Sequence, residues 1–258
     1  MFTPRLALAS LSGRSDAEWA IAGAQEAGAA FLGGIALDEP ARAAARRMVD
    51  RDRTEFLPPD PIAFVDGELG ALTDVPIRPG INVRSTTIEP IERVAAVCRG
   101  HDALLEVNAH CRQEELCAVG CGESLLAETD RLAAYVSAGV DAGATVGVKM
   151  RAEVPGVDLV ETARRIEAAG ASFVHVDAMD SEHVVGGIVD ATDLFVVANN
   201  GVRDEATVAE YVEYGADAVS IGRPSDDPAV RRRVAAAVDA QLATAPVGTA
   251  SAPRDARQ

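Results

Sequence analysis

The chain has 258 residues, 48% of them hydrophobic, and a mean hydropathy of +0.07; that is enough apolar material for a full core, and it excludes collagen-like, low-complexity and membrane-spanning classes. Its 24 basic residues face 40 acidic ones, and the resulting net charge of −16, spread along the sequence, repels phosphate backbones and argues against a nucleic-acid partner. Excess carboxylate with almost no lysine resembles proteins of salt-loving organisms, and at molar salt, where charges are screened within about 3 Å, that argument weakens.

The N-terminal stretch MFTPRLALASLSGRSD has an apolar run too short for a secretory signal, so the expected location is cytoplasmic, without a membrane. From there short apolar runs alternate with longer alanine-rich amphipathic segments. The runs cover 5–10, 29–37, 80–83, 103–109, 145–150, 172–178, 194–200 and 217–223 and read as eight strands. Helical patterns lie between them, among them SDAEWAIAGAQEAG, EPARAAARRMVDRD, EPIERVAAVCRG, SLLAETDRLAAYVSAG, DLVETARRIEAAG and EATVAEYVEYG, several closing on the glycine that stops helices. The irregular 57–74 reads as an extra hairpin between the second and third strands. Eight strand-helix units on this length predict an α/β fold, a (β/α)8 TIM barrel, as a single domain over 1–241, followed by a small polar disordered tail over 242–258. Oligomeric state has no signature in the sequence.

In such a barrel the strand ends and the loops after them share one mouth, where active sites are built. Those ends carry Asn82, Asn108, Cys111, Lys149, Arg151, His175, Asp177, Asn199, Asn200 and Arg223. Lys149, in VGVKM, is the one lysine among the 24 basic residues; on an apolar strand its ammonium needs an anion or a polarised oxygen. Cys111 follows Asn108 out of the fourth strand and precedes a helix pattern, a setting for a nucleophile or proton donor, or simply for a small buried hydrophobe. Four cysteines, 98, 111, 117 and 121, fall close together in a chain read as reducing, and with His101 and His110 they also invite a zinc reading, although the spacing matches no CxxC knuckle. NNG at 199–201 and IGR at 221–223 lie where barrel ligands commonly hold a phosphate.

Taken together, VNAHCRQEELCAVGCGESLL, VGVKMRAE, VVANNGV and VSIGRPS resemble, in order and distance, the tRNA-dihydrouridine synthase family of flavin-dependent barrels, with a more distant likeness to dihydroorotate and dihydropyrimidine dehydrogenases. The resemblance covers most of 78–223. It implies FMN as cofactor, NADPH or NADH as electron donor, and reduction or oxidation of the C5=C6 bond of a uracil-like ring, free or in tRNA. By the same resemblance Cys111 is the acid toward uracil C5, and Lys149 steadies negative charge on the reduced flavin. Asn108, Arg151 and Asp177 face the substrate, while Asn82, His175, Asn199, Asn200, Gly201, Gly222 and Arg223 bind the cofactor. The sequence departs from the family in its first loop, LALASLSGRSD. It also departs at Asp177, where the family has histidine, at Asp226 and Asp227 beside the phosphate loop, and in having no C-terminal helical domain to grip tRNA. These departures keep open a second reading, a related barrel that binds another phosphorylated ligand and does non-redox acid-base chemistry with Cys111 and Asp177.

Overall fold

The computed structural model describes residues 1–242; positions 243–258, and with them nearly all of the expected tail, lie outside the described residues. Eight parallel strands close into a barrel in chain order: β1 (Leu6–Leu8), β2 (Ala29–Ala36), β3 (Arg78–Arg84), β4 (Leu104–Ala109), β5 (Thr145–Arg151), β6 (Phe173–Asp177), β7 (Phe195–Asn199) and β8 (Ala218–Ile221). Each expected run contains or overlaps its strand.

The helices are α1 (Ala17–Gly23), α2 (Glu39–Val49), α3 (Pro61–Gly70), α4 (Glu89–Gly100), α5 (Glu114–Cys117), α6 (Glu123–Ala127), α7 (Thr129–Asp141), α8 (Leu159–Ala168), α9 (Val184–Ala191), α10 (Glu205–Glu213) and α11 (Pro228–Leu242). Part of the acidic surplus has a structural use: α1, α2, α3, α8 and α10 each start on an aspartate whose carboxylate accepts a first-turn N–H, the usual N-cap stabilisation.

Three expectations change. The 57–74 segment is not a hairpin; it holds α3, with Asp60 as N-cap and Pro61 in the first turn, a start signal read instead as irregular because two prolines precede it. The single helix expected over 124–139 is two, α6 and α7, separated by Glu128. The third is α9, whose two adjacent glycines hid it from the helix pattern.

Alternation along each strand divides the core in two. Outward residues such as Leu105, Val107, Val146, Val148, Val174 and Val176 pack against the helices. Inward residues of the N-terminal half, Phe31, Leu104, Phe173, Val197 and Ala218, fill the barrel floor. Room for the rings comes from glycines: a Cβ on Gly147 would lie 2.5 Å from Phe173, and one on Gly80 would lie 2.7 Å from Phe31. Two residues further up β3 to β8 the interior turns polar.

Candidate functional site

The polar layer above that floor is Asn82 on β3, Glu106 on β4, Lys149 on β5, His175 on β6 and Ser220 on β8, all buried. The side chains of Asn82, Glu106, His175 and Ser220 form one continuous chain of hydrogen bonds. Asn82 Nδ2 donates to Glu106 Oε1 at 2.7 Å, and Glu106 Oε2 lies 2.7 Å from His175 Nδ1. His175 Nε2 is 2.7 Å from Ser220 Oγ, which also accepts from Asn199 Nδ2 at 2.8 Å. The network assigns the protons: an ionised Glu106 takes Nδ1–H, which leaves Nε2 of a neutral His175 to accept the Ser220 hydroxyl. Electrostatics agree. Burial alone would raise the Glu106 carboxyl, yet His175 and Lys149 hold it below its ordinary value; burial and then Lys149 push His175 down, against the pull of Glu106.

Lys149 is 3% exposed. Among the described residues its ammonium makes neither a hydrogen bond nor an ion pair; Glu106 and Asp177 act on it only as nearby charges, and burial lowers its pKa. A buried cation this short of partners is costly unless a ligand completes it.

At the next level up, the strand ends open into a cavity of ≈ 700 Å³, within the range of small-molecule sites. Of the expected residues, Asn108, Cys111, Arg151, Asp177, Asn200 and Arg223 line it. Lys149, Asn82 and His175 lie in the layer beneath, and Asn199, Gly201 and Gly222 are not among the lining residues. Asn82 and His175 have both of their polar ends taken inside the barrel, so neither is free to reach a ligand in the mouth.

Asn108 links the two levels. Its Nδ2 donates to Asn82 Oδ1 at 2.8 Å, while its Oδ1 accepts the Cys111 N–H at 3.2 Å and the His110 N–H at 3.4 Å. It therefore holds the turn that presents the thiol. The same turn is closed by Glu123 N–H donating to the Cys111 carbonyl at 2.9 Å. Gly122 has φ +65°, and a Cβ there would meet that carbonyl oxygen at 2.1 Å, so only glycine fits.

The other cysteines separate. Cys98 lies in the helical core on α4, Cys121 donates toward the Ser85 carbonyl at 3.4 Å and Cys117 toward that of Cys111 at 3.5 Å. Burial pushes the Cys98 and Cys121 thiols up to about 12. No group of three or more His, Cys, Asp or Glu side chains converges as a metal site among the described residues, so the zinc reading has no cluster to rest on.

On the far side of the mouth, Asn200 and Gly201 are both left-handed, at φ +93° and +67°. Around a Cβ on Gly222 nothing lies within 4 Å. Among the described residues the N–H groups of Gly201, Gly222 and Arg223 have no hydrogen-bond acceptor. Free amides beside an arginine make an anion cradle. Asp226, which stood out as an unfavourable neighbour, is engaged by Arg14, and Asp227 caps α11 through the Ala229 N–H at 2.8 Å.

The opposite wall contains residues that the sequence reading did not single out. Arg84 is buried, pairs with Glu55 at 2.6 Å and donates to Ser12 Oγ, while Thr54 Oγ1 donates to the Ser12 carbonyl at 3.0 Å. The unusual first loop is thus fastened to the segment after α2. Arg151 pairs with Glu123 at 2.8 Å. Glu106 was within reach of the sequence, since it alternates with Leu104 and Asn108 in LLEVNA and so had to point inward. The Arg84–Glu55 pair joins the end of β3 to the segment after α2 and leaves no local signal.

No protein-family model matches the chain. An uncharacterized protein of Methanocaldococcus jannaschii is 22% identical over 205 residues, 74% of this chain and 78% of that protein. Among solved structures, the tryptophan synthase alpha-subunit of the hyperthermophile Pyrococcus furiosus aligns with a TM-score of 0.58 at 12% identity, covering 94% of this chain and 99% of that one. The carboxyl transferase domain of Rhizobium etli pyruvate carboxylase aligns with a TM-score of 0.53 at 15% identity, over 93% of this chain and 49% of that one. At these identities the likeness shows the fold: the chain is a single-domain TIM barrel, similar to barrels that serve enzymes.

Proposed function

We propose that the chain is an FMN-dependent oxidoreductase of the dihydrouridine synthase kind, acting on the C5=C6 bond of a uracil-like ring. The observation that carries this reading is the juxtaposition of a buried Lys149 on β5, without an ion pair among the described residues, and a Cys111 thiol in the turn after the neighbouring β4, in the wall of the cavity above it. Two features fit the cofactor. The open cradle at Gly201, Gly222 and Arg223 offers donors for its phosphate, and Lys149 offers a compact cation for negative charge on its ring.

When bound, reduced FMN supplies hydride. The protein's own part is proton delivery and orientation. Cys111 Sγ holds the proton for the ring carbon, and Asn108 fixes its turn through the backbone. The imide edge of uracil presents acceptor, donor, acceptor; Arg151 is a donor and Asp177 an acceptor in the same wall. Asn108, with both amide ends occupied, acts on the site as a positioning residue.

The second reading, a phosphorylated ligand without redox chemistry, gives the acid-base work to Cys111 and Asp177, both in the lining of the same cavity. Titration with FMN separates the two. Saturable binding should shift the flavin absorbance and change the fluorescence of Trp19, whose Nε1 donates to Ser225 Oγ at 3.3 Å beside the cradle. Lys149→Arg should weaken this binding with the fold intact, and Cys111→Ala should keep the flavin but lose turnover. A protein that takes up no FMN refutes the redox reading and leaves the second.

A further inference from the structure

The charge of the mouth runs against that of the molecule. In a chain of net −16, six arginines and two aspartates line the cavity. Three of the six are matched: Arg14 by Asp226, Arg84 by Glu55 and Arg151 by Glu123. Arg53, Arg112 and Arg223 are exposed and have no acidic partner among the described residues. Arg223 belongs to the cradle after β8. The other two belong to the segments after α2 and after β4, and a specific contact brings these segments together: Arg51 pairs with Glu115 at 2.5 Å, tying the stretch after α2 to the start of α5. That pair engages Glu115, and Arg53 and Arg112 stand with Cys111 in the cavity lining, where Asp52 is the one acid of these two segments. The buried Arg84 and Arg151, each paired with a glutamate, also keep an Nε with no hydrogen-bond partner.

We infer a second anion subsite, formed by Arg53 and Arg112 beside Cys111 and distinct from the cradle of Gly201, Gly222 and Arg223, that takes a phosphate or carboxylate of the molecule being transformed. Guanidinium forks match both oxyanions in two-point contact, and a cleft lined by one sign of charge concentrates ligands of the other even when the whole molecule repels them. The substrate is accordingly a small anionic compound whose reacting centre lies close to its charged group. This assignment does not depend on the redox reading, because it concerns the anion and not the chemistry done beside it.

Cys111 is the reporter. Its alkylation by iodoacetamide is followed by peptide-resolved mass spectrometry, with Cys117, half-buried and outside the cavity lining, as the internal reference. Inorganic phosphate should slow Cys111 saturably and leave Cys117 unchanged, compared with potassium chloride at equal ionic strength. Arg53→Gln with Arg112→Gln should raise the half-protecting phosphate concentration roughly tenfold, the effect of two exposed charge-assisted hydrogen bonds, and Arg223→Gln should leave it unchanged. Malonate in place of phosphate tells the two sources apart: stronger protection by malonate assigns a carboxylate-bearing ligand to the same subsite. Protection by neither anion overturns the proposal, as does protection that survives the double substitution or disappears with Arg223→Gln.

Discussion

Glu106 and His175 share one hydrogen bond deep in the barrel, and the directions of their shifts determine how stability answers to pH. His175 is held below its ordinary value chiefly by burial and Lys149, and His110 well below, again by burial first. A folded value below the unfolded one means that the unfolded chain takes the proton first. Stability from these histidines is therefore complete above about pH 6.5 and is lost as pH falls, by up to about 1.4 kcal/mol per pH unit for each. Glu106, also lowered, acts in the same sense but only below about pH 4.3, where the unfolded carboxylate begins to protonate. The window from pH 7 to 5 thus belongs to the histidines. Urea unfolding across it should show a shallower loss of stability in His175→Asn than in the unaltered chain; parallel slopes would mean that His175 protonates as readily folded as unfolded. At this scale the sequence was a partial guide. Residue type and strand position singled out Lys149, Cys111 and Asp177, and the structure puts each in the mouth or directly under it. What could not be read was which polar groups satisfy one another: Asn82 and His175 look like ligand contacts until Glu106 and Ser220 are seen to occupy them.

The strands were legible because burial on both faces makes each a short continuous apolar run, and the helices where an apolar stripe, and in α1, α2, α8 and α10 an aspartate cap as well, marks them. Where those signals conflict, the reading fails. At α3, prolines and glycine disguised a capped helix; at α9, two adjacent glycines on an apolar background gave no stripe. Glycines inside strands have a different meaning, and β5 shows it. Gly147 faces the barrel floor, where three ring atoms of Phe173 would each stand 2.5 Å from a new Cβ. The ring is fully enclosed, with Phe31 at 5.7 Å between centroids on one side. Gly147→Ala should therefore destabilise by about 1–3 kcal/mol, the usual range for overpacking a close-packed interior. Phe173→Leu in the same chain should return part of the loss, because it vacates the volume the methyl needs. Thermal melts of the single and double variants decide it: a double variant less stable than the sum of its parts would place the clash elsewhere, in the backbone of β5.

For the molecule as a whole, the sixteen unbalanced negative charges and the arginine-lined mouth respond to salt with opposite signs. Self-repulsion among surface carboxylates destabilises the compact state, and its range shrinks from about 10 Å at 0.1 M salt to about 3 Å at 1 M. Salt also weakens the exposed ion pairs, such as Arg46–Glu39 and Arg165–Asp130, but each of these contributes only about 0–1 kcal/mol. The repulsion, summed over an excess of this size, outweighs them. Potassium chloride should thus raise the melting temperature steadily over that range. In the mouth the sign reverses, because there screening removes attraction: phosphate protection of Cys111 should need more phosphate as potassium chloride is added. Measured on one preparation, the two trends test a single distribution of charge. A melting temperature that falls with salt would show that the carboxylates are already matched by their neighbours. Protection indifferent to salt would show that the arginines at the mouth do not attract the anion through their charge.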